Sequence, residues 1–136
     1  MNYLLDVNVL LAWGWADHGD HTRAAKWVAE MKQKRGNKLL TSAIPELGFV
    51  RVSVQRAAGK LAVNDAASIL ASMIESLGKC HEFVADDRSA TAGYPAWCRG
   101  AATTTDAHLF SLAADHRAKL ATLDTGIVGA FLLPRA

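Results

Sequence analysis

Cysteine is nearly absent: only Cys80 and Cys98 occur, with no C-x-x-C spacing and no histidine pair arranged beside them as a zinc site. Neither a disulfide framework nor a structural zinc is supported, so both read as free thiols. Long apolar runs are missing too. Asp, Lys, Arg or Gly interrupts each stretch well before the roughly 18 to 20 residues that a membrane span needs. The start, Met1-Asn2-Tyr3-Leu4-Leu5-Asp6, has no basic segment and no small-residue cleavage site of a secretory signal, which predicts a cytoplasmic protein without membrane attachment. Charge of one sign is scarce as well. A net +2 does not by itself argue for nucleic acid, because phosphate contacts depend on local clusters of Lys and Arg. There is no G-x-S-x-G, no plausible Cys and His pair and no Gly-rich phosphate loop, which removes the usual nucleophilic and nucleotide-binding mechanisms.

What remains is an ordinary globular composition, with 51% hydrophobic and 21% charged residues over 136 positions. A chain of this size buries roughly two-thirds of its unfolded surface around one core, and no repeat or linker divides it. We therefore expect a single domain over residues 1–136.

Tyr3 to Asp6 reads as a short buried strand that turns directly into a helix over Val7 to Trp15, with Asn8 its only polar interruption. Thr22 to Lys34 sets Ala24, Ala25, Trp27, Val28 and Met31 at helical spacing opposite Arg23, Lys26, Glu30 and Lys34. Lys38 to Thr41 is a second strand, and Ser42 is the expected cap of a helix carrying Pro45 and Glu46 in its opening turns. Val63 to Leu77 is a helix stopped by Gly78. His81 to Ala85 reads as a third strand. Thr103-Thr104-Thr105 caps a helix over Asp106 to His116, and Lys119 to Thr122 is a strand ending at Leu123-Asp124. Residues 86–100 carry no assignable pattern. Alternating strands and helices predict a three-layer α/β fold with a mostly parallel central sheet.

In such sheets, sites gather beyond the carboxyl ends of the strands. Asp6 and Asp124 fall at two such ends, while Glu46 and Asp106 open helices near the same rim. Four acids converging there would repel one another unless a divalent cation sat among them. Mg²⁺ or Mn²⁺ suits all-oxygen ligation, and such an ion activates water and neutralises charge on a phosphodiester.

Four segments, Leu4-Leu5-Asp6-Val7-Asn8-Val9-Leu10-Leu11, Glu46-Leu47-Gly48-Phe49-Val50-Arg51, Thr105-Asp106-Ala107-His108-Leu109 and Leu120-Ala121-Thr122-Leu123-Asp124, resemble the PIN-domain ribonuclease toxins of type II toxin–antitoxin modules, the VapC family. Their order, their spacing and the chain length all agree. The resemblance implies a metal-dependent endoribonuclease in which Asp6 and Asp106 are the main metal ligands, Glu46 and Asp124 complete the acidic pocket, and Asn8 and Thr105 support it. It also implies an RNA substrate, a cognate antitoxin whose basic side chain enters the pocket, and homodimerisation.

Purely structural uses compete for the same residues. Asp6 suits a helix cap, Asp106 a first-turn acid on a helix dipole, Glu46 an unremarkable early-helix acid, Asp124 a turn and Asn8 a local hydrogen bond. Arg51 and Trp97 are candidate RNA contacts. Trp13, Trp15 and Trp27 lie in apolar patterns and read as core, and the basic run from Lys32 to Lys38 reads as a solvated surface. Two other functions stay open: an aspartate-based phosphotransferase or phosphatase using Asp6, and a catalytically silent RNA-binding or adaptor domain.

Overall fold

The computed structural model describes all of residues 1–136. The backbone opens with strand β1 (Asn2–Leu5), and α1 (Val7–Gly14) follows after a single residue. Then come α2 (His21–Gln33), β2 (Lys38–Thr41), α3 (Ala43–Arg56), α4 (Val63–Leu77), β3 (His81–Phe83), α5 (Thr104–Asp115), β4 (Ala118–Thr122) and β5 (Phe131–Leu132). The five strands form one sheet in the order β3-β2-β1-β4-β5, and all four pairings are parallel. The expected three-layer α/β architecture is thus observed.

Strand alternation builds the layers. Leu4, Leu40 and Leu120 share one sheet face and pack with Leu109, Leu112 and Ala113 of α5. Leu5, Leu39 and Ala121 face the other way and pack with Val9, Leu10, Trp27, Phe49, Leu70 and Leu77 from α1 to α4. Because successive side chains point to opposite faces, two-residue apolar pairs such as Leu4-Leu5 and Leu39-Leu40 supply both cores at once. Trp27 meets Tyr3 edge to face and Phe131 at a tilt, at centroid distances of 5.2 and 5.7 Å, and the Trp15 indole donates to Ser53 Oγ at 3.0 Å. These tryptophans are committed to packing, as their apolar settings suggest.

Two glycines let α1 and α3 pack closely: a Cβ on Gly48 would lie 2.8 Å from Val7 Cγ2, and one on Gly14 would lie 2.8 Å from the Phe49 ring.

Several boundaries move. β3 is two residues shorter than the apolar run, α5 starts at Thr104 rather than Asp106, and β5 has no counterpart in the expected strands. Ser42 has the extended backbone of a cap, yet its buried hydroxyl makes no hydrogen bond. Residues 86–100 contain no helix or strand but are pinned to α5 by His108 Nε2 on Asp86 Oδ2 and by Arg88 on Asp115, each at 2.7 Å. No helix is long and apolar enough to cross a membrane.

Candidate active site

β1 and β4 are adjacent in the sheet although a hundred residues separate them, and their register pairs Leu5 with Ala121. That register carries the chain-distant residues Asp6 and Thr122 to one spot at the carboxyl end of the sheet. Asp6 is 3% exposed, and its two carboxylate oxygens are divided between two tasks. Oδ1 accepts from the Val7 amide at 2.7 Å and so caps α1, while Oδ2 accepts from the Thr122 hydroxyl at 2.8 Å. The capping use of Asp6 and its place in an acidic site therefore coexist.

Thr122, fully buried, is the hub of this arrangement. Its single proton goes to Asp6, and its oxygen accepts from the Asp124 amide at 3.1 Å and from Asn8 Nδ2 at 3.2 Å. Asn8 Oδ1 in turn accepts from the Leu123 amide at 3.1 Å. The amide of Asn8 thus clamps the β4 exit against α1. Asp124 closes its own turn by accepting from the Gly126 amide at 2.8 Å, which leaves its other oxygen available.

Asp106 lies in the first turn of α5, partly exposed. Burial first, and then the charges of Asp6 and Asp124, push its carboxyl up to about 6. Asp6 is raised as well, chiefly by burial and in small part by Asp124, against the lowering effect of its bonds to Thr122 and Val7. Asp106 therefore senses both other aspartates, and Asp6 senses Asp124. None of the ion pairs in the chain involves any of them.

Glu46 is placed differently. It lies in the first turn of α3, and its Oε2 accepts from Thr41 Oγ1 at 2.6 Å. Its charge reaches His81 but contributes nothing to the shifts of Asp6 or Asp106. It also edges the largest cleft, about 560 Å³, which is otherwise apolar and includes Leu47, Val50, Leu70, Ile74 and Phe83. The structure thus brings three of the four expected acids together and holds the fourth on the neighbouring strand–helix connection.

The remaining candidates separate further. The Thr105 side chain is exposed and makes no hydrogen bond, and the hydroxyl that supports the acids belongs to Thr122. Thr122 is missed by pattern alone, because a Thr ending an apolar strand looks like ordinary strand chemistry. Arg51 is exposed on α3 beside Leu47, Val50 and Val63. Trp97 packs edge-on against Phe110, with centroids 5.9 Å apart, over the α5 core.

No three acidic, histidine or cysteine side chains stand close enough to enclose an ion by themselves. An open carboxylate set of this kind fits Mg²⁺ or Mn²⁺, which keep several waters and take one or two carboxylates directly, rather than a caged calcium or a zinc held by nitrogen and sulfur.

The pH dependence of stability follows from Asp106. An acid whose folded value exceeds the unfolded 3.8 binds more protons when folded, so stability is lost as pH rises from about 4 through about 6. In EDTA at pH 7, Asp106→Asn is accordingly expected to melt above wild type. The gain is roughly 1 kcal/mol once solvent screening at a partly exposed position is allowed for. Below pH 4 the gap closes. Thermal melts across that range check it.

The PIN domain family model matches residues 3–129. Ribonuclease VapC39 of Mycobacterium tuberculosis is 36% identical over 133 residues, covering 93% of this chain and 91% of the relative. Ribonuclease VapC38 of the same organism is 34% identical, with coverage of 91% and 86%, and Ribonuclease VapC29 is 34% identical, with coverage of 93% and 89%. The chain belongs to the VapC family of PIN-domain proteins.

Proposed function

We propose that the chain is a Mg²⁺- or Mn²⁺-dependent endoribonuclease, the toxin of a type II toxin–antitoxin pair. The observation that carries this reading is the convergence of Asp6, Asp106 and Asp124, close enough that Asp124 acts on Asp6 and both act on Asp106, with no ion pair to any of the three. Aspartates packed this way repel one another until a cation joins them, which supports a divalent ion at this place.

Asp6 and Asp106 hold the ion, Asp124 and Glu46 complete the acidic rim, and Asn8 and Thr122 keep Asp6 in one orientation. The ion supplies an activated water and charge neutralisation at the scissile phosphodiester. The relatives are named ribonucleases, which supports RNA as the substrate. The exposed apolar side chains of Leu47 and Phe83 beside Glu46 support a protein partner on that face, consistent with an antitoxin or with a second copy of the chain.

A phosphotransferase using Asp6 as nucleophile predicts a phosphorylated Asp6 on treatment with a phosphodonor, and RNA cleavage with no phosphoenzyme removes that reading. The deciding experiment incubates purified protein with a mixed pool of structured RNA in Mg²⁺, Mn²⁺ or EDTA. Cleavage in either metal and none in EDTA is expected. RNA bound equally under all three conditions and never cut would make the chain a silent RNA-binding domain.

A further inference from the structure

The side chain of His81 has no part in the reading above, yet it ends a chain of two short hydrogen bonds on Glu46. His81 opens β3 and pairs with Leu39, which places it diagonally from Thr41 on the same sheet face. Thr41 is fully buried, and its Oγ1 lies 2.6 Å from Glu46 Oε2 and 2.7 Å from His81 Nε2. The hydroxyl has one proton to give. A carboxylate only accepts, so Thr41 donates to Glu46 and His81 Nε2 must carry the hydrogen that it donates to Thr41.

We propose that His81 is a positioning residue which, through Thr41, fixes the Glu46 carboxylate by one oxygen and leaves Oε1 to face a ligand; this rests on Glu46 belonging to the acidic site. No hydrogen bond within the chain engages Oε1. Without the relay, Glu46 is a long side chain at the edge of an apolar cleft, and ligand binding has to take away its rotamer freedom. With the relay, that ordering precedes binding. Burial holds His81 below its ordinary value, against the pull of Glu46 and Glu82, so the neutral ring with hydrogen on Nε2 is the form that serves.

The test uses the full chain with Mn²⁺ alone as probe. Imidazole ¹⁵N shifts are expected to report hydrogen on Nε2 of His81. In calorimetric titration, Thr41→Val and His81→Phe are expected to weaken Mn²⁺ binding about 10-fold, as does Glu46→Gln, whereas Thr41→Ser and His81→Gln, which restore the donors, stay within about twofold of wild type. Loss of melting temperature with unchanged Mn²⁺ affinity in His81→Phe overturns the proposal, as does hydrogen on Nδ1. If Glu46→Gln binds Mn²⁺ normally while Asp6→Asn does not, the relay serves no site and falls, and the nuclease reading stands. If wild type binds Mn²⁺ and cleaves no RNA, the nuclease reading falls while the titration still decides for or against the relay.

Discussion

Asp6→Asn is expected to lower metal-dependent RNA cleavage by about 10³-fold, the equivalent of several kcal/mol of lost charge stabilisation, without unfolding the protein. The reason lies in how the two oxygens are used. Asn keeps an acceptor for the Val7 amide, so the cap of α1 survives, while the bond from Thr122 is lost, because Thr122 Oγ1 already accepts from the Asp124 amide and Asn8 Nδ2 and has no lone pair left for a third donor. Since burial already disfavours the charged form of Asp6, removing the charge offsets that loss at neutral pH. Cleavage assays at saturating Mg²⁺ beside thermal melts in EDTA separate the two effects. A variant that cleaves as wild type does would refute the carboxylate mechanism.

Thr122→Val has the largest effect on folding. The change conserves shape but strands three groups at once: Asp6 Oδ2, Asn8 Nδ2 and the Asp124 amide all lose their partner. Asp6 is buried, and leaving its carboxylate unsatisfied costs about 1 to 3 kcal/mol, while Asn8 and Asp124 lie nearer the surface, where water replaces part of what they lose. The destabilisation expected is roughly 2 to 3 kcal/mol. For a domain of this size the melting temperature drops on the order of 10 °C. Thr122→Ser keeps the hydroxyl and should recover most of the loss. Differential scanning calorimetry on both variants distinguishes a missing hydrogen-bond hub from a missing methyl group, since an equal loss in both would place the cost in packing.

Elements whose identity is set locally were legible in the sequence. Lys38–Thr41 and Val63–Leu77 fall where patterning puts them, because a short apolar run and a long amphipathic one need only neighbouring residues to define them. Gly78, with φ +56°, ends α4 as its side-chain-free backbone allows. β5 is two residues long and exists only because Ala121 and Thr122 offer an open edge to Phe131 and Leu132. No period can reveal a strand of that length. Residues 86–100 are ordered by tertiary ion pairs through Asp86 and Arg88, so their sequence looks irregular and is irregular.

The site divides in the same way. Asp6, Asp106 and Asp124 were accessible from strand ends and helix starts combined with family resemblance. Thr122 was not, because its role depends on the β1–β4 register, which no single segment contains. Thr105 drew attention as the residue before Asp106, but its side chain is exposed and unbonded. The hold of Thr41 and His81 on Glu46 was equally hidden, since it requires β3 to lie beside β2.

The pairing of β1 with β4 also governs timing. The two ends of the Asp6–Thr122 bond are separated by 116 positions. At translation rates of roughly 5 to 20 residues per second, Asp6 is synthesised on the order of ten seconds before the hydroxyl that orients it. Through most of that interval Asp6 stands on the first strand without Asp106, Thr122 or Asp124. Connectivity alone therefore keeps the acidic set unassembled until β4 has been made.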